Sequence, residues 1–506
     1  MAFEAVTIIL FCLALPTLLL LANYVRTKNG KPPHPPSWPI IGHLHLLRKK
    51  KPIHRILASL SQRHGPIMYL QLGFRPVLVI SSSELAKECF TANDKALASR
   101  PRTAAAKHLG YDHKMFSVLP YNSQLRDLRK ICTMKLFSAS RIDSFKHLRT
   151  EEVSALICSL FESCQREAAP VNMKSRLSDL TSNIIMRMVA SKRVSGPQGS
   201  EDLQEGHHLR KMVEETFYLY GVFAVGDYLP FLKWLDLQGL ISAMKKLQKK
   251  RDAFMQKLVN EHREKQGMHA QDLIDLLISA VDNQEIQSDN NDDVIKATAL
   301  NMINAGTDTS SVTIEWALAA LLQRPDILGK AQEELDKQIG RDRVVEESDL
   351  QELTYLQAIV KETLRLYPAG PLLVPHEAAE ACSIGGFCVP AGTRLLVNAW
   401  AIHRDPALWS CPTEFDPEKF LNSGKAIDVK GHDFELIPFG SGRRMCPGMS
   451  LALVVIHYTL ARLLQSFEWR VPEGAVIDMA EGLGLTMPKA IPLEAIVKPR
   501  LPLHLY

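Results

Sequence analysis

The pattern of apolar and polar positions divides the chain into one long apolar run, a short stretch of strand character and a large remainder with helical spacing. The run covers Ala5 to Tyr24, about 20 residues without a charge. That length crosses a bilayer as a helix. Arg26, Lys28 and Lys31 follow it and no basic residue precedes it. This flank bias places the bulk of the chain in the cytoplasm and argues against a cleaved signal peptide. Lys31-Pro32-Pro33-His34-Pro35-Pro36-Ser37-Trp38-Pro39 reads as a stiff, extended spacer, because proline fixes φ and lacks a donor. The expected organisation is a transmembrane anchor over residues 1–25, a basic, proline-rich hinge over 26–42 and one large domain over 43–506.

Residues 67 to 81 predict two strands around Gly73-Phe74-Arg75-Pro76. From Ser83 onward the spacing is mainly helical. Ser99 through Phe116 lacks clean periodicity and is expected to be a long loop. A helix is expected around Tyr121 to Lys130, a loop over 195–207, and helix over 208–265 with an aromatic stretch from Phe217 to Leu232. That stretch reads as core, or as a lid over an apolar pocket. After a polar loop over 282–291, Asp292 or Asp293 is the expected N-cap of a long helix. It ends at about Gln323, ahead of Pro325, a length of roughly 45 Å. Ser383 to Val389 and Arg394 to Asn398 are strand-like, and Gly482 to Met487 reads as a turn dipping into the core. The fold class is mainly α with a smaller β region.

Composition narrows the function. The chain has 506 residues, 46% of them hydrophobic, enough for a sizeable core. The net charge of +5 forms no stripe of the kind nucleic acid requires. Nine cysteines without CxxC pairs point to reduced thiols rather than a disulfide framework.

One of those cysteines is set apart. Phe439-Gly440-Ser441-Gly442-Arg443-Arg444-Met445-Cys446-Pro447-Gly448 presents Cys446 on a glycine-rich turn just before an apolar run of helical spacing. Unpaired N–H groups at a helix N-terminus favour a thiolate. Such a thiolate is a nucleophile or a metal ligand. No nearby cysteine has zinc spacing, so a single axial bond to haem iron fits better. The long helix carries the second constellation, Asn301 to Ser310. Gly306 in mid-helix costs about 1 kcal/mol, and Ala305-Gly306 opens a groove. Asp308 and Thr309 compete for backbone hydrogen bonds there. Cleaving an O–O bond needs protons delivered without bulk water, and a hydroxyl beside a carboxylate makes such a relay.

The pattern Phe-x-x-Gly-x-Arg-x-Cys-x-Gly resembles that of the cytochrome P450 superfamily of haem-thiolate monooxygenases. The resemblance implies the fold of that family, with Cys446 as the iron ligand of haem b, Arg444 on a propionate and Phe439 near the sulfur. Residues 305 to 310 match the family's Ala/Gly-Gly-x-Asp-Thr-Ser/Thr motif, which implies Thr309 as the oxygen-side hydroxyl and Asp308 as the proton source. Arg129 matches a propionate-binding arginine, although Leu125 stands where a tryptophan is usual. His376 stands where an arginine or histidine contacts a propionate. Asn301, Asn304, Ala305, Leu373 and Leu485 fall at substrate-facing positions, with Leu372 and Val374 beside them above the haem. The two asparagines either bind a polar substrate or tie neighbouring elements together. Glu362-x-x-Arg365 matches the structural signature, but its usual arginine partner is Lys419 here, which lacks the planar fork.

In detail the chain looks like a plant microsomal member, of the plant family numbered eighty-two, through Ala98-Ser99-Arg100-Pro101, Leu109-Gly110-Tyr111 and Met115-Phe116. The resemblance implies an endoplasmic reticulum membrane protein with a cytosolic catalytic domain. It implies electrons from NADPH through a cytochrome P450 reductase, docking near Arg126, Lys130 and Arg443. The substrate is then a small apolar plant metabolite: a flavonoid, alkaloid, lignan, coumarin or terpenoid. Oxidative demethylation and methylenedioxy-bridge formation remain open beside hydroxylation. A haem-thiolate isomerase or dehydratase, or a silent haem-binding protein, would not need the acid–alcohol pair.

Overall fold

The computed structural model describes residues 32–47, 51–166, 170–195, 202–264, 272–286, 290–422, 424 and 426–506. The expected anchor and the basic part of the hinge lie outside the described residues.

The two predicted strands form as a hairpin. β1 (Ile67–Leu72) pairs antiparallel with β2 (Arg75–Ile80), Ile67 opposite Ile80. Gly73 makes the turn at φ 54°, a conformation glycine adopts without steric penalty. Two later segments complete the sheet, β3 (His376–Glu377) and β4 (Arg394–Val397). β4 runs parallel to β2 with Val77 opposite Arg394, and β3 runs antiparallel to β4 with His376 opposite Leu395. The stretch expected as one strand over 383–389 is instead a small hairpin, Cys382–Ile384 with Phe387–Val389, turned at Gly385 and Gly386 with positive φ.

Six helices position the site: α1 (Ser123–Lys135), α2 (Met173–Ala190), α3 (Asp202–Gly221), α4 (Asn291–Gln323), α5 (Thr354–Leu366) and α6 (Met449–Ser466). α4 has 33 residues and is buried on most faces. It runs through the core, packed by α2 on one side and by α5 and α6 on the other. Its N-cap is Asn290, not Asp292 or Asp293; the Asn290 side chain accepts from the Asp293 N–H at 3.3 Å. The two aspartates occupy the first turn instead, where negative charge suits the helix dipole. α4 ends at Gln323 because Arg324, preceding Pro325, leaves the helical region at φ −127°, ψ 74°. α6 is apolar enough to resemble a membrane span but is 67% buried, a core helix.

Two other expectations change. The tract over 208–265 is two helices, α3 and Leu240–Glu264, joined by turns at Val225–Asp227 and Pro230–Leu235. The chain turns at Gly221 because another backbone passes there. A Cβ on Gly221 would stand 2.1 Å from the Gly484 carbonyl carbon. Within the long loop, Ala104–His108 is helical, capped by Thr103, whose hydroxyl accepts from the Ala106 N–H at 3.1 Å.

Candidate active site

Between α4 and the cysteine loop lies a cavity of ≈ 390 Å³. Cys446, Phe439, Arg444, Arg129 and His376 line one part of it. Asn301, Asn304, Ala305, Thr309, Leu373 and Leu485 line the rest. Residues separated by more than three hundred positions thus meet around one space.

The cysteine loop is shaped by its glycines. Gly440 and Gly442 take φ 69° and 68°. The Cys446 N–H donates to the Phe439 carbonyl at 3.0 Å, closing the turn. α6 then starts at Met449 with Gly448 as its N-cap. Protein encloses Cys446, and its accessible surface faces the cavity. Burial pushes its thiol pKa up, with a hydrogen bond from the Gly448 backbone and the charge of Arg129 pulling the other way. The Gly448 backbone at the helix end favours the thiolate, the direction expected from sequence. Desolvation dominates until a cation is bonded to the sulfur.

Three guanidinium groups crowd the same end. Arg129 donates to the Met445 carbonyl at 2.7 Å. Arg444 donates to the carbonyls of Ala98 at 2.6 Å and Leu119 at 2.5 Å. Arg100 donates to the carbonyls of Val374 at 2.6 Å, Pro375 at 2.8 Å and Ser117 at 3.1 Å. All these partners are neutral, and among the described residues no carboxylate is bonded to any of the three. Burial lowers the pKa of each; Arg444 lowers that of Arg100 further and Arg129 that of Arg444, which falls to about 10, while Cys446, Cys132 and Asp94 act against burial at Arg129. His376, its Nδ1 2.8 Å from the Leu97 carbonyl, is driven well below its ordinary value by burial and by Arg100. A low-dielectric cluster of this sign calls for an anion. Arg100 was not assigned to the site from sequence. Its position just after the apolar Ala96 to Ala98 was the available signal.

Residues 32–493 match the family described as Cytochrome P450. The chain belongs to the cytochrome P450 family. Curated relatives include xanthotoxin 5-hydroxylase CYP82C4 of Arabidopsis thaliana, 45% identical over 98% of this chain and 99% of that one. Demethylepipodophyllotoxin synthase of Sinopodophyllum hexandrum is 45% identical over 94% and 93% of the two chains. Strychnine-10-hydroxylase of Strychnos nux-vomica is 43% identical over 95% and 93%. A zebra fish cytochrome P450 solved with abiraterone superposes with TM-score 0.74 at 28% identity, covering 89% of this chain and 99% of that one. The protein is a cytochrome P450 monooxygenase, and its family carries haem on a cysteine thiolate.

In this cytochrome P450, α4 supplies the other wall. The Thr309 hydroxyl donates to the Ala305 carbonyl at 2.8 Å, leaving its lone pairs free. Asp308 does not line the cavity. It lies beside Thr486, which does, and a hydrogen bond from Thr486 partly offsets burial, which raises the Asp308 pKa to about 6. Gly306 permits α4 to approach α2; a Cβ there would stand 2.8 Å from Ile185 Cγ1. The Thr181 hydroxyl fixes that approach by donating to the Thr307 carbonyl at 2.7 Å.

The asparagines divide between the two readings left open by the sequence. Asn301 Oδ1 accepts from the Ser117 N–H at 3.2 Å, tying the loop over 109–119 to α4. Asn304 is 6% exposed, lines the cavity and has no hydrogen-bond partner among the described residues. Leu485 is held by its N–H, which donates to the Phe217 carbonyl at 3.0 Å. Leu373 and Val374 line the cavity, but Leu372 does not. It points the other way and packs on the hairpin core of Leu70, Leu72 and Val77.

Glu362 and Arg365 sit outside the cavity, both side chains fully buried. They form a two-fold hydrogen-bonded pair at 2.6 and 2.7 Å. Arg365 also donates to the carbonyls of His403 and Pro412, each at 2.7 Å. Lys419 reaches Glu362 at 3.5 Å and the Glu414 carbonyl at 3.1 Å. Leu125 is 2% exposed and fills its position as an apolar core residue.

Proposed function

We propose that this cytochrome P450 is an NADPH- and O2-dependent hydroxylase of a plant specialised metabolite. Haem b is held by Cys446, with Phe439 beside the sulfur and its propionates taken by Arg444, Arg129, His376 and Arg100. What carries this reading is the unpaired cluster of guanidinium groups at the cysteine end of the cavity. Two propionates supply the charge the cluster lacks. The haem, when bound, supplies the oxygen chemistry, and the thiolate ligand favours O–O cleavage.

The chain's own residues do the rest. Asp308, with a pKa near 6, is poised to lose and regain a proton at working pH. Thr486 and Thr309 carry hydroxyls from Asp308 toward the cavity. The Lys174–Glu214 ion pair, 2.8 Å apart and partly exposed, lies close enough to influence Asp308 and marks the solvent side of that route. Thr309, its proton donated to Ala305, presents a hydroxyl oxygen that accepts hydrogen bonds on the cavity side. Ala305, Leu373 and Leu485 press an apolar substrate toward the reacting centre, and Asn304 sets its polar atoms. Glu362, Arg365 and Lys419 keep the core rigid behind the cysteine loop.

Electrons come from NADPH through a cytochrome P450 reductase docked by Arg126, Lys130 and Arg443 on the Cys446 side. The protein is anchored in the endoplasmic reticulum membrane by residues 1–25, with 26–42 as hinge and the catalytic domain over 43–506 in the cytosol. An apolar patch of Phe74, Phe231 and Trp234, 56%, 53% and 80% exposed, supports contact of that domain with lipid.

The test is turnover in yeast microsomes with a plant reductase and NADPH, over flavones, coumarins, lignans, alkaloids and terpenoids. A product heavier by one oxygen is expected. Loss of a methyl group or of two hydrogens would move the protein to demethylation or bridge formation. Product without NADPH would overturn the monooxygenase reading.

A further inference from the structure

Three polar features over the cavity are not used by the oxygen chemistry. The first is Tyr220 on α3. With Phe217 one turn before it, Tyr220 lines the cavity from the side formed by α3. Its hydroxyl has one contact among the described residues, the Met115 sulfur at 3.9 Å. That is a weak acceptor, so the O–H remains a donor without a strong partner in an apolar space. The second is Asn304, whose side-chain amide also reaches the cavity unpartnered.

The third is Arg251, on the helix Leu240–Glu264. Its side chain is 1% exposed, and one nitrogen donates to the Leu109 carbonyl at 3.2 Å. The other two, Nε and Nη2, are buried without a hydrogen-bond partner. Burial lowers its pKa, and the titratable groups that act on it are the neutral phenols of Tyr220 and Tyr111, not a carboxylate. A buried guanidinium in that state strengthens any acceptor-seeking donor beside it and raises the positive potential of the space beyond. No aspartate or glutamate among the described residues lines the cavity. A protonated amine entering it would find no protein carboxylate on the lining, and Arg251 behind Tyr220 at the end away from the cysteine loop.

We propose that Tyr220 and Asn304 form the specificity pair for a carbonyl oxygen, so that the substrate is a neutral or anionic oxygenated ring compound bearing a ring carbonyl or lactone and not a protonated alkaloid. Arg251 is a positioning residue: it acts through the Tyr220 hydroxyl and excludes cations from the cavity. This inference rests on the hydroxylase reading for its cavity but narrows the substrate classes that reading allows.

The experiment uses full-length holoprotein and three probes of matched size. Flavone carries a ring carbonyl, flavan is the same skeleton without it, and an N-methylquinolinium with a phenyl substituent carries a fixed positive charge. Affinities are read from the shift of the Soret band and, independently of the haem, from equilibrium dialysis. The wild type is expected to bind flavone at least tenfold tighter than either other probe. Tyr220→Phe is expected to weaken flavone by about tenfold, the effect of one unreplaced hydrogen bond, and to leave flavan unchanged. Arg251→Met is expected to weaken flavone and tighten the quinolinium, a pair of changes that mere loosening of the fold would not produce. If Arg251→Met does not accumulate as folded protein, Tyr220→Phe decides alone. Equal losses for flavone and flavan, a quinolinium bound as tightly as flavone by the wild type, or no binding of flavone overturns the proposal. If flavone binds as expected and NADPH yields no product from any substrate, the hydroxylase reading fails and this one stands.

Discussion

Glu481 offers the sharpest test of how the substrate loop is held. It stands one residue before the Gly482–Met487 turn that carries Leu485 and Thr486 into the cavity. Its carboxylate is 1% exposed and accepts from His54 Nε2 at 2.8 Å, from Arg55 at 2.6 and 2.9 Å, and from the Trp400 indole at 3.1 Å. Burial alone would raise its pKa, but the hydrogen bonds from His54 and Arg55, with their charge, outweigh burial and bring it to about 2. The gap from its ordinary value of 4.5 corresponds to about 3 kcal/mol of stability at neutral pH. Arg55 is half exposed and screened by solvent, so we take about 2 kcal/mol for the variant Glu481→Gln. A domain of about 460 residues has an unfolding entropy near 1 kcal/mol/K, so the loss is about 2 °C in Tm. The sign with pH follows from the depressed pKa. The contribution is fully present above about pH 4.5 and is lost only as pH falls toward 2. Tm of wild type and variant, measured by loss of the Soret band from pH 8 to pH 5, should therefore differ by an amount that does not shrink, and that grows as His54 protonates beside Glu481. A difference below 0.5 °C at pH 7, or one that closes between pH 7 and pH 5, would refute the reasoning. Because the loop loosens with the anchor, substrate affinity in Glu481→Gln should fall several-fold as well.

Asp308→Asn should separate activity from stability. The native carboxyl is held near pH 6 instead of 3.8 by burial, so its charged form is a burden above pH 6 that disappears as the acid protonates below it, worth up to about 3 kcal/mol. The variant should be more stable at pH 8, keep about half of that gain at pH 5, lose about a hundredfold in turnover and lose the turnover inflection near pH 6; a Tm at pH 8 equal to or below wild type argues against the assignment. Gly221→Ala places a methyl group against the Gly484 backbone, which cannot yield as a side chain does, so the loop bearing Leu485 must shift. Regiochemistry of the product should change in that variant while the haem spectrum does not, and an unchanged product pattern would contradict the close approach. Glu362→Gln leaves Arg365 charged and buried, a loss of about 3–5 kcal/mol that should show as failure to accumulate holoprotein at 37 °C.

The sequence exposed most of what depends on local signals. Helix α4 was readable because an apolar periodicity runs unbroken to Arg324-Pro325, and the cysteine loop because its glycines, arginine and cysteine are contiguous. Features that depend on distant partners were not readable. Arg100 joins the cluster of cations only because Ser117, Val374 and Pro375 bring three carbonyls to it from separate segments. Gly221 reads as one glycine in a long helical pattern until Gly484 is seen against it. Leu372 and Leu373 are both leucine, and only the backbone, with Leu373 at φ 53°, sends one to the hairpin core and the other to the cavity. The same holds at Cys446: the helix end that favours its thiolate is local and legible, while the burial that opposes it comes from the whole fold.

The crowding of Arg100, Arg129 and Arg444 bears on the life of the protein in the cell. Until their charge is answered, Arg444 is set against Arg100 and Arg129 inside a poorly polarisable interior, and the fold is weakened around the cysteine loop. A group that binds only the folded form adds stability in proportion to the logarithm of its concentration over its dissociation constant. Were haem bound to this cluster, its supply would shift newly made chains from proteolysis toward maturation. Steady-state abundance of this enzyme should follow haem synthesis even where its transcript is constant, so that a shortage of the pigment silences the pathway by degradation before it limits catalysis.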